Sequence, residues 1–350
     1  RLGTPGALAK ATDWEISVQS SVDRYPVTGS LQVTSFLAEN SKVWPNLSDF
    51  QVWRVRVRVP ESLPEDLYDL TVKGKIGGTW ITDSQPHALQ AVNEIKDRFS
   101  FCQLTDIHVF GPECSYPSSN HKERNNRHTD YRPDDDGYGA KYYHKTIQQL
   151  NRTRPDFCIF SGDYMFGQKY FTKSHGAPWG TTTEYEYEML WFYQETLKLE
   201  VPVFVLMGNH DGYAEPMGQA AGEDWHENWK KLWGPLYYSF DYNDCHFTLC
   251  NSMDWSRADR ELFDWLGIIM QPGKYLGQFR GGGDTWQKGC SEARLAAIDE
   301  SRFTGQLAWM RDDLKSHQSS RLRVMVMHHD PWKDTGSGSM WEGLVWPNMG

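Results

Sequence analysis

Four apolar segments of this sequence each end in side chains that can bind a metal ion. A short apolar run that stops at a turn signal predicts a buried strand. The segments and their endings are residues 99–105 with Asp106-Ile107-His108, residues 157–161 with Gly162-Asp163, residues 201–206 with Met207-Gly208-Asn209-His210-Asp211, and residues 322–327 with His328-His329-Asp330. Since ligands gather where the strands of an open α/β sheet end, the four endings predict one shared site in an α/β fold.

The predicted ligands are a mixture of carboxylate, amide and imidazole groups. Asp106 and His108 are two residues apart, so in an extended segment they lie on one face and can bind one ion. Each motif alone has a plain structural explanation, because Gly-Asp after a strand is most often a turn. Their fourfold recurrence favours a metal site. Hard oxygen ligands mixed with imidazole suit Mn, Fe or Zn, and their number fits a pair of ions about 3.5–4 Å apart.

These motifs resemble those of the calcineurin-like metallophosphoesterase superfamily. The resemblance runs from about residue 99 to residue 350, and the Gly-Asn-His-Asp element at residues 208–211 is its most specific part. It implies a four-layer α/β/β/α sandwich and a hydrolase that acts on phosphoester bonds. It also implies two divalent or trivalent metal ions, with a metal-bridging hydroxide as the nucleophile.

The resemblance assigns a role to each residue that matches a motif. Asp106 and His108 would bind the first ion, and Asp163 would bridge both ions. Imidazole is suited to donate a proton to an alkoxide leaving group near neutral pH, so His210 would be the general acid. Asp211, the next residue in sequence, would orient or charge that imidazole.

The second ion would be bound by Asn209 and by one histidine of a neighbouring pair. His328 directly follows the last strand, which favours it as the ligand. His329 fits better when the motif is counted back from Pro331. Both histidines therefore stay candidates.

One departure from the superfamily pattern concerns the end of the chain. The closing Gly-His-x-His, which supplies one ligand to each ion, is absent from these 350 residues. We expect a chain cut short of its natural end; the alternative is a non-catalytic binding or assembly protein on a degenerate scaffold. His246 and His317 could substitute as ligands, but a strand pattern and a helix end favour structural roles for them.

A second departure narrows the group of relatives. Phe166 stands where purple acid phosphatases have a tyrosine, three residues after the bridging aspartate. Those enzymes also lack the histidine found here at position 108. The pattern therefore disfavours a purple Fe(III)–tyrosinate centre.

Residues 1–97 carry short alternating strands rather than long helical patterns. In residues 51–59, apolar side chains alternate with arginines, which predicts a half-buried strand with a wet face. Repeated short strands between turn signals predict a small all-β domain, an immunoglobulin- or fibronectin-like β-sandwich. We expect residues 1–97 to form this domain and residues 98–350 to form the catalytic domain. Helical patterns in the latter cover residues 141–152, 184–199, 225–233 and 301–317.

Composition and charge argue against some classes of function. The formal net charge of −10 disfavours nucleic-acid binding, which needs a basic face. A phosphoester substrate remains compatible, because metal ions would supply a local positive field. No apolar run reaches about 18 residues, so no membrane span is predicted.

The cellular location is predicted from weaker features. Asn46-Leu47-Ser48 and Asn151-Arg152-Thr153 match the glycan acceptor pattern. A β-sandwich ahead of the catalytic domain is also familiar among exported relatives of the superfamily. We expect an extracytoplasmic protein, periplasmic or secreted, with a cytoplasmic location as the alternative. The choice between mono- and diester substrates and the oligomeric state both stay open.

Overall fold

The computed structural model describes eight stretches of the 350-residue chain. They are residues 10–21, 27–39, 52–109, 138–165, 182–208, 210–212, 225–252 and 305–328. The chain divides into two units. The first comprises Arg1–Phe101, Leu150–Cys158 and Leu197–Val203, and the second comprises Cys102–Gln149, Ile159–Thr196 and Phe204–Gly350. The predicted domain boundary between residues 97 and 98 stays a prediction.

Five antiparallel strands form a sheet in the first unit, in the order β3-β2-β1-β4-β5. The strands are β1 (Trp14–Ser20), β2 (Thr28–Glu39), β3 (Val52–Arg58), β4 (Asp66–Ile76) and β5 (Thr79–Ala91). The core of this sheet buries Ile16, Val18, Leu31 and Tyr68. Where described, residues 14–91 are thus strands joined by turns, while their packing as a sandwich stays a prediction.

Strand β3 shows the alternation that its sequence predicts. Trp53, Val55 and Val57 are half-buried, and the arginines between them are exposed. Val59, which the pattern places on the buried side, lies beyond the end of the strand and is 41% exposed. The alternation therefore identifies the strand and its faces but extends it too far.

A three-stranded sheet carries three of the four predicted site segments. Its strands are, in order, β6 (Phe101–Leu104), β7 (Phe157–Phe160) and β8 (Val203–Val205). Backbone hydrogen bonds link Asp156 to Ser100 and Ser161 to Leu104, so β6 and β7 run in parallel. β7 is buried throughout, but β6 is an edge strand whose Phe101 is 44% exposed, where the sequence predicts burial. Apolar composition alone does not distinguish an edge strand from a central one.

A second three-stranded sheet carries the fourth segment. Its strands are β9 (Tyr238–Tyr242), β10 (Cys245–Leu249) and β11 (Leu322–Val326), and β10 lies between an antiparallel β9 and a parallel β11. β10 is buried, while β11 is an edge strand that exposes Leu322 and buries Val326, so its predicted burial is wrong over most of its length. Stacked rings of Phe204, Phe240 and Phe247 pack β8 against this sheet.

The structure describes four α-helices, and each coincides with a predicted helical segment to within a few residues. They are α1 (Tyr138–Thr153), α2 (Thr182–Thr196), α3 (Trp225–Leu232) and α4 (Gly305–Ser316). In α1 the buried side chains Ala140, Tyr143, Ile147 and Leu150 recur at helical spacing. Within the described stretches, no helix is long and apolar enough to cross a membrane.

Candidate metal centre

Side chains from the ends of β6, β7, β8 and β11 meet around the buried carboxylate of Asp163. Its Oδ2 lies 3.2 Å from Nε2 of His328, 3.6 Å from Nε2 of His108 and 3.9 Å from Nε2 of His210. Asp106 joins the group, because its Oδ1 lies 3.7 Å from Nε2 of His108. Five residues from four separate strand endings therefore form one cluster, as the sequence predicts for them.

Two of the imidazoles are held by main-chain carbonyl groups. Nδ1 of His108 lies 3.2 Å from the carbonyl oxygen of Met165, and Nδ1 of His328 lies 2.9 Å from that of Ser161. A carbonyl oxygen only accepts hydrogen bonds, so in each ring Nδ1 carries the proton and donates it. This fixes the tautomer in which the Nε2 lone pair can face the cluster. A hydrogen bond from the other ring nitrogen to a carbonyl group is typical of metal-binding histidines.

The segment after β6 is not extended, so the extended conformation predicted for Asp106 and His108 is wrong. Asp106 and His108 have φ of +54° and +44°, and Asp163 has φ of +58°. The cause is a set of backbone hydrogen bonds at 3.0 Å, in which Asp106 N–H donates to Gly162 and His108 N–H donates to Asp163. Non-glycine residues in this left-handed region carry strain, which persists only where the surroundings impose it. Here three predicted ligands share that conformation.

Two glycines allow the loops after β7 and β8 to touch. A Cβ on Gly162, whose φ is +101°, would lie 2.5 Å from the backbone nitrogen of Gly208. A Cβ on Gly208 would lie 2.1 Å from Oδ1 of Asp163. Neither position has room for a side chain. Beside this contact, the backbone N–H of His210 donates a hydrogen bond to Oδ1 of Asp163 at 2.9 Å. The glycines of both motifs are thus required by this close approach.

Asp211 is fully buried and binds the backbone of the loop after β7. Its Oδ2 accepts hydrogen bonds from the N–H groups of Asp163 at 2.7 Å and Gly208 at 2.8 Å. Its Oδ1 accepts from Tyr164 at 2.9 Å and Met165 at 3.2 Å. The predicted contact with the His210 ring is not among the hydrogen bonds of this carboxylate. Asp211 therefore positions the loop that carries Asp163.

Burial and the charges of the cluster shift the pKa values of its side chains. Burial tends to raise the pKa of Asp163, but the imidazoles of His210, His328 and His108 outweigh burial and lower it. Burial tends to lower the pKa of His328, but Asp163 outweighs burial and raises it to about 9. Burial, followed by the charge of Asp163, raises the pKa of Asp211 to about 6. The centre thus concentrates negative charge that is matched by protons on imidazoles, as suits a site for cations.

Three predicted residues lie outside the described stretches: Asn209, His329 and Phe166. The structure places His246 and His317 away from Asp163, in a cluster of their own. One further contributor was not predicted. Thr105 donates from its hydroxyl to Oδ2 of Asp106 at 2.8 Å. The anchoring carbonyl groups were also missed, because every residue has one and no sequence pattern marks it.

The fold and this donor set define an α/β protein with a candidate metal centre at its strand ends. Residues 99–347 match the sequence model of the calcineurin-like phosphoesterase family. The chain therefore belongs to the calcineurin-like phosphoesterase family, which confirms the resemblance and supports metal-dependent phosphoester hydrolysis in general.

Solved structures with distant similarity to the chain include a phosphatase. The chain is similar to a solved structure of a dimetal phosphatase from Danio rerio, at 16% identity and a TM-score of 0.36. The alignment covers 67% of this chain and 70% of that one. None of the curated proteins matches the chain.

Proposed function

We propose that this chain is a two-metal-ion phosphoester hydrolase. Asp106 and His108 would bind one ion, Asp163 would bridge both, and His328 would bind the second ion together with Asn209. The observation that carries the proposal is the convergence of Nε2 atoms on the Asp163 carboxylate, with the rings of His108 and His328 oriented by carbonyl groups. This arrangement favours His328 over His329 as the ligand.

The donor set fits such ions chemically. Bonds from a first-row metal to imidazole or carboxylate are about 2.0–2.2 Å long, so donors that share an ion lie about 3–3.5 Å apart. The separations of 3.2 Å and 3.6 Å from Asp163 Oδ2 are close to that spacing. Mixed oxygen and nitrogen donors suit Mn, Fe or Zn. When bound, a pair of these cations would activate water and neutralise charge on the phosphoryl group.

His210 is the residue we propose as general acid. Its backbone N–H is anchored to Oδ1 of Asp163, and its ring packs edge-on against His108 with the centroids 4.6 Å apart. Its Nε2 is farther from Asp163 Oδ2, at 3.9 Å, than the Nε2 atoms of the other two imidazoles. This position suits a ring that borders the centre and donates a proton to the leaving-group oxygen.

We propose the finer architecture on the same basis. The ring of Phe192 in α2 stacks on Tyr164, and Trp309 in α4 packs on Tyr237. Helices therefore pack beside both three-stranded sheets, as in a four-layer α/β/β/α sandwich. The β-sandwich of residues 1–97 and the extracytoplasmic location belong to the proposal as well.

Metal analysis combined with turnover tests the proposal. The wild-type chain and an Asp163→Asn variant would be assayed for bound Mn, Fe and Zn, and for hydrolysis of an aryl phosphate monoester and a diester. We expect two bound ions and turnover in the wild type, and loss of metal binding and of turnover in Asp163→Asn. Asp312→Asn is the control, because that carboxylate is on the surface. A folded wild-type chain that binds no metal would instead indicate a binding or assembly protein.

A further inference from the structure

A second group of histidines and carboxylates lies in the second unit, away from Asp163. It consists of Asp241, His246, Asp313 and His317, and we call it the distal cluster. His246 pairs in register with Arg323 of β11, five residues before His328. At a strand rise of about 3.3 Å per residue, this is roughly 16 Å from the candidate metal centre. The distal cluster is therefore a separate site.

The first imidazole of the cluster is held by a carboxylate whose side chain is 9% exposed. Nε2 of His246 lies 2.8 Å from Oδ2 of Asp313. Asp313 is itself fixed, because Ser239 donates to it at 2.8 Å and Thr248 at 3.2 Å. The other ring nitrogen of His246, Nδ1, lies 2.7 Å from Oδ1 of Asp241. The side chain of His246 is 1% exposed, so solvent does not compete for its ring nitrogens.

The second imidazole is held by the main chain of the same aspartate. Nδ1 of His317 lies 2.8 Å from the carbonyl oxygen of Asp313, so it donates its proton there. Its Nε2 is turned to Asp241, 3.7 Å from Oδ2. In each ring one nitrogen is hydrogen-bonded to Asp313, and the other nitrogen faces the carboxylate of Asp241.

Histidines that bind metal ions are commonly held in this way. A metal-binding imidazole almost always donates its other N–H to a carboxylate or a main-chain carbonyl, which aims the ring and raises its basicity. The carboxylate of Asp313 holds the ring of His246, and the main-chain carbonyl group of Asp313 holds the ring of His317. We propose that the distal cluster binds a divalent cation of zinc type through Asp241, Nδ1 of His246 and Nε2 of His317.

Charge and donor type define the class of ion. Two imidazoles and one carboxylate are donors that zinc accepts readily, and solvent can supply the fourth position of its tetrahedron. Both ring nitrogens of His246 face carboxylates, and a divalent cation beside Nδ1 would balance the negative charges of Asp241 and Asp313.

Access and movement are compatible with binding. The side chain of Asp241 is 56% exposed and that of His317 is 29% exposed. The rings of His246 and His317 stack with centroids 3.7 Å apart and planes 11° apart. Since an imidazole binds a cation in its own plane, His317 must turn out of this stack. His317 follows Ser316, the last residue of α4, and this segment would have to move with the ring for Nδ1 to keep its hydrogen bond to the Asp313 carbonyl group. The bound ion would then tie α4 to the β9–β10 hairpin.

Counting zinc ions in matched variants tests the proposal. Four proteins would be stripped with a chelator, loaded with zinc and separated from free metal: the wild-type chain, Asp241→Asn, His317→Gln and the control Asp244→Asn. Asp244 is the matched control, because it is an exposed carboxylate in the same hairpin that pairs with Arg321. We expect Asp241→Asn and His317→Gln each to bind one zinc fewer than the wild type and Asp244→Asn.

Equal zinc content in all four proteins would overturn the proposal. The comparison is a difference between variants, so it does not depend on how many ions the centre at Asp163 binds. If Asp241→Asn fails to fold, as judged by circular dichroism, His317→Gln decides the question, because its side chain lies outside the buried core. Cobalt provides a second readout, since a cobalt ion in the distal cluster adds visible absorption that both variants lose.

Discussion

The carboxylate of Asp211 accepts a hydrogen bond from the backbone N–H of Asp163 at 2.7 Å. With its other three backbone hydrogen bonds it joins the loop after β7 to the loop after β8. The candidate bridging ligand thus owes its position to a neighbouring buried acid. We therefore expect a substitution of Asp211 to lower stability and metal binding, and to change the catalytic step only through those losses.

We expect Asp211→Asn to lower the free energy of unfolding by about 2–4 kcal/mol. The amide replaces one acceptor oxygen with a donor group, which leaves buried N–H groups without a partner at about 1–3 kcal/mol each. Urea unfolding would measure this, and metal analysis should show lower occupancy in the same variant. In the exposed control Asp244→Asn the change should stay within about 0.5 kcal/mol. Wild-type stability in Asp211→Asn would contradict the positioning role.

Gly208→Ala is expected to disrupt the centre through backbone movement. The added Cβ would meet Oδ1 of Asp163 at 2.1 Å and its backbone nitrogen at 2.5 Å, and neither atom can move away without shifting the loop. We expect loss of metal and a destabilisation of about 1–3 kcal/mol, as for other overpacked sites. Gly29→Ala is the control, because its Cβ would meet only side-chain methyl groups, Leu63 Cδ1 at 3.3 Å and Val18 Cγ2 at 3.4 Å, and no backbone atom. Full metal binding by Gly208→Ala would refute the steric argument.

His210→Ala should slow turnover while leaving the metal content unchanged. General acid catalysis contributes about 10²–10⁴-fold, and it matters most for a leaving group that needs a proton. The loss should therefore be large for an alkyl phosphoester and small for a nitrophenyl ester, whose leaving group departs as an anion. Rates on both substrates, with metal analysis, would check this. A variant that loses metal would show instead that His210 is a ligand.

Metal uptake should release protons and become tighter as the pH rises. In the metal-free chain, burial opposes the charge of Asp163, which prevails and raises the pKa of His328 to about 9 from the ordinary value of about 6.5. Below pH 9 this ring holds a proton that an ion must displace. Affinity should therefore rise by about tenfold per pH unit for each proton displaced.

Titration calorimetry in buffers of different ionisation enthalpy measures the released protons. Stability of the metal-free chain changes with pH in the opposite direction to metal affinity. In the metal-free chain, the His328–Asp163 pair stabilises the fold fully below about pH 6.5 and is lost as the pH rises through about 9. His328→Gln is the comparison variant and should release fewer protons. Binding heats that do not depend on the buffer would rule out the displacement.

The strand endings could be read from the sequence because a change of composition marks them. Asp163 and His210 each follow an apolar run and a glycine, and a turn at that point sets the polar side chain at the sheet edge. The left-handed backbone of Asp106 and His108 could not be read in this way. It is imposed by carbonyl groups more than 50 residues along the chain, at Gly162 and Asp163. Local sequence contains no record of such partners.

Adjacency in sequence was a poor guide to the role of Asp211. Neighbouring side chains point in different directions, and the carboxylate of Asp211 accepts hydrogen bonds from the backbone of the loop after β7. The exposure of Phe101 in β6 was missed for a related reason. Whether a strand lies in the centre or at the edge of a sheet depends on which strands pair with it, and pairing is a property of the whole fold.

The carbonyl groups of Ser161 and Met165 aim the imidazoles of His328 and His108 at the cluster. These oxygens belong to the main chain, so they remain whatever side chain occupies either position. Ring direction is therefore decoupled from residue identity at 161 and 165. A protein engineer who wants a different metal preference can vary the side chains around the imidazoles and still find both rings aligned, provided that the path of the backbone is preserved.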